Sequence, residues 1–143
     1  MGEILETKTA TYSLLEKNIL LVVMKEDAVV DVPEVEENYT TGMRLTGENR
    51  YAALVDGRKY ATLTNEAKEY SAQPKMSVKL IAQAIVVTSL ASRLLANFLI
   101  KFLKQNKYVQ IQLFTDYDAA LNWLREKIKE EKKSKKISSP LSI

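Results

Sequence analysis

The sequence predicts an α/β (α+β) domain, a mixed β-sheet entered through an N-terminal hairpin, continued by βα units and covered by packed helices. Three observations predict it. Ile19 to Met24 is uniformly apolar and Ile81 to Val87 nearly so, the mark of strands covered on both faces. Elsewhere the apolar residues fall at helical spacing, at Val35, Tyr39 and Met43, and again at Leu94, Leu95, Phe98, Leu99, Phe102 and Leu103. Finally, 143 residues, 46% of them apolar, suffice for one real core and leave no room for a second.

In chain order, Thr7 to Leu15 alternates, with Ala10, Tyr12 and Leu14 on one side, and reads as a half-exposed strand. Lys17-Asn18 supplies a tight turn into the apolar strand Ile19 to Met24, so the two form a hairpin. Ala28 to Val32 is a short third strand or an extended lead-in. Pro33 suits the first residue of a helix, with Glu34, Glu36 and Glu37 where a helix N-terminus favours negative charge and Gly47 at its end. Tyr51 to Asp56 is the next buried strand. A helix follows, capped by Thr64, with Ala67 and Tyr70 inward until Pro74 breaks it. After the strand at Ile81 to Val87, Thr88 or Ser89 caps the amphipathic helix. Val109 to Phe114 alternates, and its glutamines fit an edge strand. Thr115, with Asp118 three residues on, resembles a capping box opening a last helix with Ala120, Leu121, Leu124 and Ile128 inward.

Composition removes several chemistries. With no cysteine and no histidine there is no thiol nucleophile, no Ser-His-Asp or Cys-His catalysis, and no ordinary zinc site. The four glycines are scattered, so no phosphate-binding glycine loop exists. Charge is segregated: residues 1–70 carry 8 basic and 13 acidic side chains, a net −5, whereas residues 71–115 carry 6 basic and none acidic. Residues 131–143 read as a basic, disordered tail beyond a domain of residues 1–130; no aromatic interleaves its lysines, and no nucleic acid is expected. Leu80 to Leu103 is long enough for a bilayer span, but Arg93 inside it would cost about 2.5 kcal/mol or more on insertion scales, so no membrane span is expected. The start MGEILETK has no signal-peptide pattern, and a cytoplasmic location is the expectation.

Val55-Asp56 ending a strand, Thr64 with Glu66-Ala67 opening a helix, Ser89 with Ala91 and Arg93 through Asn97-Phe98, and Phe114-Thr115-Asp116 with Ala120-Leu121 and Trp123-Leu124 form an ordered pattern. In that order and spacing the chain resembles the uncharacterised SpoIIAA-like, STAS-type proteins of bacteria from about Ile19 to Leu124. The resemblance implies a SpoIIAA-like β/α layer, related in shape to the lipid-transfer CRAL-TRIO domain. It also implies a regulatory module that acts through protein contacts. In that superfamily anti-sigma-factor antagonists are switched by phosphorylation of a serine at a helix start. Here the stretch reads Thr64-Asn65-Glu66-Ala67; Asn65 replaces the serine and Glu66 adds charge where phosphate would come, so the switch is not expected.

Ligands of open α/β sheets favour the carboxyl ends of the strands. That rim is expected to hold Asp56, Arg58, Thr64, Asn65, Ser89, Arg93, Thr115 and Asp116, residue types that helix capping also explains. The expectation is a non-enzymatic interaction module with no cofactor, acting as a homodimer or on a regulatory protein partner. The alternative is a carrier or sensor of a small apolar or lipid-like ligand, with Phe98, Leu99 and Phe102 lining its pocket. Whether those three side chains close on the sheet or border a void separates the two.

Overall fold

The computed structural model describes residues 2–106 and 109–138, the side chains of residues 92–97, 105 and 135–138 excepted. Strands β1 (Ile4–Glu6), β2 (Ala10–Glu16) and β3 (Ile19–Met24) form an antiparallel meander. Strands β5 (Tyr51–Asp56), β7 (Leu80–Val86) and β8 (Gln110–Phe114) extend it in parallel, giving a six-stranded mixed sheet in the order β1-β2-β3-β5-β7-β8. The hairpin, the interior place of β3 and the edge place of β8 follow the hydrophobic pattern. β1 is an addition; it pairs Ile4 with Ser13 at the far edge, and three residues are too few to show a period.

Each parallel strand is followed by a helix. Helix α1 (Val32–Thr46) leaves β3, α2 (Asn65–Ser71) leaves β5, α3 (Ser89–Gln105) leaves β7, and α4 (Tyr117–Ser138) follows β8. A second, two-stranded ladder, β4 (Val29–Val30) with β6 (Thr62–Leu63), runs parallel just ahead of α1 and α2. It brings their first turns together. Asp31, not Pro33, opens α1: its carboxylate accepts from Val32 N at 2.9 Å, while Glu34 accepts from Asp31 N at 2.9 Å. Thr64 caps α2 by accepting from Ala67 N at 3.0 Å and donates its own hydroxyl proton to Asp31 at 2.9 Å. Two helix starts thus share one hydrogen-bonded pair. At the far end of α1, Gly47 has φ 63°, the left-handed conformation its place after the helix requires.

The two faces of the sheet are unlike. Below α4, Ile19, Ala52, Leu54, Ala82, Ala84, Val86, Ala120 and Leu124 are all fully buried. Alanines at three of the six sheet positions let the helix approach closely, and each buried Leu, Ile or Val contributes about 1.5–3 kcal/mol. Arg125 Nε fastens the helix to Glu16 at 2.9 Å, and Arg50 Nε fastens it to Glu131 at 2.7 Å. α4 continues through Ser138, so residues 131–138 of the expected tail are helical; residues 139–143 lie outside the described residues.

The opposite face carries α1, α2 and α3. Under α1 and α2 it packs Tyr12, Leu20 and Val22 against Val35 and Ala67. α1 crosses closely because Gly42 has no side chain; a Cβ there would lie 3.2 Å from Leu20 Cδ2. Under α3 the packing changes. Gln83 and Ile85 on β7, and Ile111 and Leu113 on β8, are only half-buried although they face a helix.

Candidate functional site

Half-burial of a strand floor beneath a helix means that something else occupies the space between them, and here it is a cavity of about 530 Å³. That volume lies within the range of small-ligand pockets. Its floor is Ala53 and Val55 of β5, Gln83 and Ile85 of β7, and Ile111 and Leu113 of β8. Ala91, Phe98, Leu99 and Phe102 of α3 roof it. Tyr12, Tyr39 and Tyr51 close the α1 end, and Tyr60 to Leu63 form a side wall.

The roof is fastened at both ends. Thr88, rather than Ser89, caps α3, accepting from Ala91 N at 3.3 Å. At the other end Asn106 is buried and fully engaged: its amide donates to Ala72 O at 2.7 Å and to Phe102 O at 3.0 Å, and its carbonyl oxygen accepts from Ser77 at 2.8 Å. Phe102 is buried among Ala53, Leu80 and Val109, with its ring edge-on to Phe98 at 6.2 Å. Leu103, expected on the inner stripe, is 37% exposed, because the helix leans on β8 through Phe102 and turns the next position outward.

Polar side chains on the wall include four tyrosines, Asn38, Gln83 and several hydroxyls. Gln83 stands on the central strand with no hydrogen bond from its amide to another described residue. Burial raises the Tyr12 phenol well above its ordinary value and pushes Tyr51 up to about 12, so both are neutral donors at ordinary pH. Among the described lining residues Lys68 of α2 is the one charged side chain, and no carboxylate is present. Sequence reasoning did not select these. Gln83 had a signal, a lone amide in an apolar central strand; Lys68 had a fainter one, since its helix offers it no acid one turn away.

The expected rim residues separate into two groups. Asp56 and Arg58 form a bidentate pair at the end of β5, with the Arg58 guanidinium 5.6 Å from the Tyr117 ring centroid. Thr115 and Asp116 lie near them at the start of α4, where Asp116, not Thr115, accepts from Asp118 N at 3.1 Å. A carboxylate directly before the helix reaches that N–H, and Thr115 stays exposed. Thr64 belongs instead to the linked caps of α1 and α2, with exposed Asn65 beside it. Ser89 is exposed, and the side chain of Arg93 lies outside the described residues. Among the described residues no group of acids is placed to hold a metal, and no helix is long and apolar enough to cross a membrane.

A mixed-sheet α/β domain, closed by a helix on one face and roofed over a cavity on the other, is the class that fold and site define. Residues 13–128 match the domain of unknown function DUF7793, and the chain belongs to that family. No curated protein and no solved structure matches it.

Proposed function

We propose that the protein is a non-enzymatic binding module, a carrier or sensor, for a small and largely apolar ligand held between the sheet and α3. The observation that carries this reading is the 530 Å³ space beneath a helix whose Phe98, Leu99 and Phe102 border it instead of filling it. A space of that size keeps its lining from the side-chain contacts that the α4 face makes in full, and an apolar ligand of matching shape would supply them. The test is the fluorescence of the neutral apolar dye N-phenyl-1-naphthylamine, together with native mass spectrometry of protein purified from its own source. Dye enhancement in the parent chain, lost in Ile85→Trp while the circular dichroism is unchanged, is the expected result. Equal enhancement in both chains removes the proposal.

A second reading takes the same scaffold as a STAS-type interaction module. It is supported by the hairpin followed by βα units and by β8, which ends the sheet with exposed Gln110 and Gln112 and no strand beyond it. A sheet edge of that kind favours pairing with another chain, as a homodimer or with a regulatory partner. Light scattering separates the two readings: a dimer abolished by a proline at Gln112 supports the second, and a monomer at all concentrations counts against it.

A further inference from the structure

The cavity's wall also bears on what kind of ligand it takes. We propose that the ligand is a long-chain amphipath with an anionic head, and that Lys68 is the residue that holds the head. This rests on the cavity reading above and adds the ligand's chemical class to it.

Lys68 is the one charged side chain on the described wall, and neither aspartate nor glutamate is present to repel an anion. It also lacks a partner of the kind that several other lysines have. Lys101 pairs with Glu69 at 3.7 Å, Lys75 lies over the Tyr70 ring at 5.0 Å, and Lys25 pairs with Glu6 at 2.6 Å. On α2 the positions three and four residues either side of Lys68 are Thr64, Asn65, Ser71 and Ala72, so no helical neighbour supplies a carboxylate. Among the described residues none supplies one from elsewhere either.

Lys68 is half-buried along the cavity wall, and an incoming anion would meet its ammonium as a direct pairing partner. Geometry gives the rest of the molecule its place. Ile85, Phe98, Leu99, Phe102, Ile111 and Leu113 offer an apolar bed for a chain, and none of them offers a polar contact. The binding site is therefore bipolar, with one cation at the α2 wall and hydrocarbon between α3 and the sheet.

The experiment is displacement of N-phenyl-1-naphthylamine by three ligands of one chain length: laurate, dodecyl phosphate and dodecanol. In the parent protein at least one of the two anions displaces the dye at a concentration about tenfold or more below dodecanol, and the better anion identifies the head as carboxylate or phosphate. In Lys68→Met that advantage disappears while dodecanol is unaffected; in Lys68→Arg it is kept. Equal potency of all three in the parent protein overturns the proposal, as does an anion advantage that survives in Lys68→Met. Dye binding without displacement by any of the three overturns it too and leaves the apolar-cavity reading standing. Failure of the dye itself to bind removes both.

Discussion

Arg58 holds Asp56 through two parallel bonds, Nε to Oδ1 at 2.9 Å and Nη2 to Oδ2 at 2.8 Å, at the carboxyl end of a central strand. The hydrogen bonds from Arg58 keep the Asp56 carboxyl below its ordinary value of 3.8, and Arg125 does the same for Glu16. A carboxylate whose pKa is depressed on folding stabilises the fold above its unfolded value. That contribution is lost as pH falls from the unfolded pKa through the folded one. Asp56→Asn is accordingly expected to lower stability at neutral pH by about 0.5–1 kcal/mol, the range of a well-formed exposed pair. It also makes the acid limb of the stability profile shallower. Urea unfolding at neutral pH and at pH values below the ordinary carboxylate range measures both, and a variant as acid-sensitive as the parent contradicts the assignment.

The phenols of Tyr12 and Tyr51 give the alkaline side of the same profile. Burial raises both, so the folded chain keeps protons that the unfolded chain releases above the ordinary value of 10.0. Stability is then full below that value and falls as pH rises toward the folded pKa, about 12 for Tyr51. Tyr51→Phe removes part of this fall. Phenolate absorbance during an alkaline titration is expected to show two tyrosines that ionise only as the fold is lost; seven ionising together near 10.0 would contradict it.

Truncation tests the unlikeness of the two sheet faces. Leu124 is fully buried under the closed face, and Leu124→Ala is expected to cost about 3–5 kcal/mol, as for leucines whose surroundings do not collapse. Leu113 borders the cavity and is half-buried, so Leu113→Ala merely enlarges an existing space, at about 1–2 kcal/mol. Denaturant midpoints at constant m-value report the difference, and equal costs would mean that the cavity face is packed in solution.

Gln83 is the polar group in the middle of the apolar floor. Gln83→Leu keeps the approximate volume and exchanges a half-buried amide for hydrocarbon on an apolar floor, so the ligand-free protein is expected to gain up to about 1 kcal/mol. A thermal melt that falls instead would show that the amide has a structural partner.

Much of the scaffold was legible because it rests on period and punctuation. Tyr51 to Asp56 was bounded correctly by its apolar run and Gly57, and Thr64 and Gly47 were legible as cap residues from chemistry local to a few positions. β4 was legible as a short strand or an extended lead-in, while β1 and β6 were not, since strands of three and two residues are set by the partner that pairs with them. Asp31 was hidden by Pro33, which marks a helix start whether the cap lies one or two residues earlier. The cavity was legible only as an alternative. Phe98, Leu99 and Phe102 have the same spacing whether they fill a space or border it; the difference lies in how far α3 stands from the sheet, which Ala53 and Ala91 set jointly with residues distant in sequence.

α3 is pinned by Thr88 at one end and by Phe102 and Asn106 at the other, and its described Ala91, Phe98 and Leu99 border the cavity. A beam held in that way flexes at small cost, whereas α4, seated along its length on alanines, does not. Amide hydrogens of α3 are accordingly expected to exchange through a partial opening that leaves the sheet and α4 intact, and those of β5 and β7 only with the whole fold, which native-state hydrogen exchange measures.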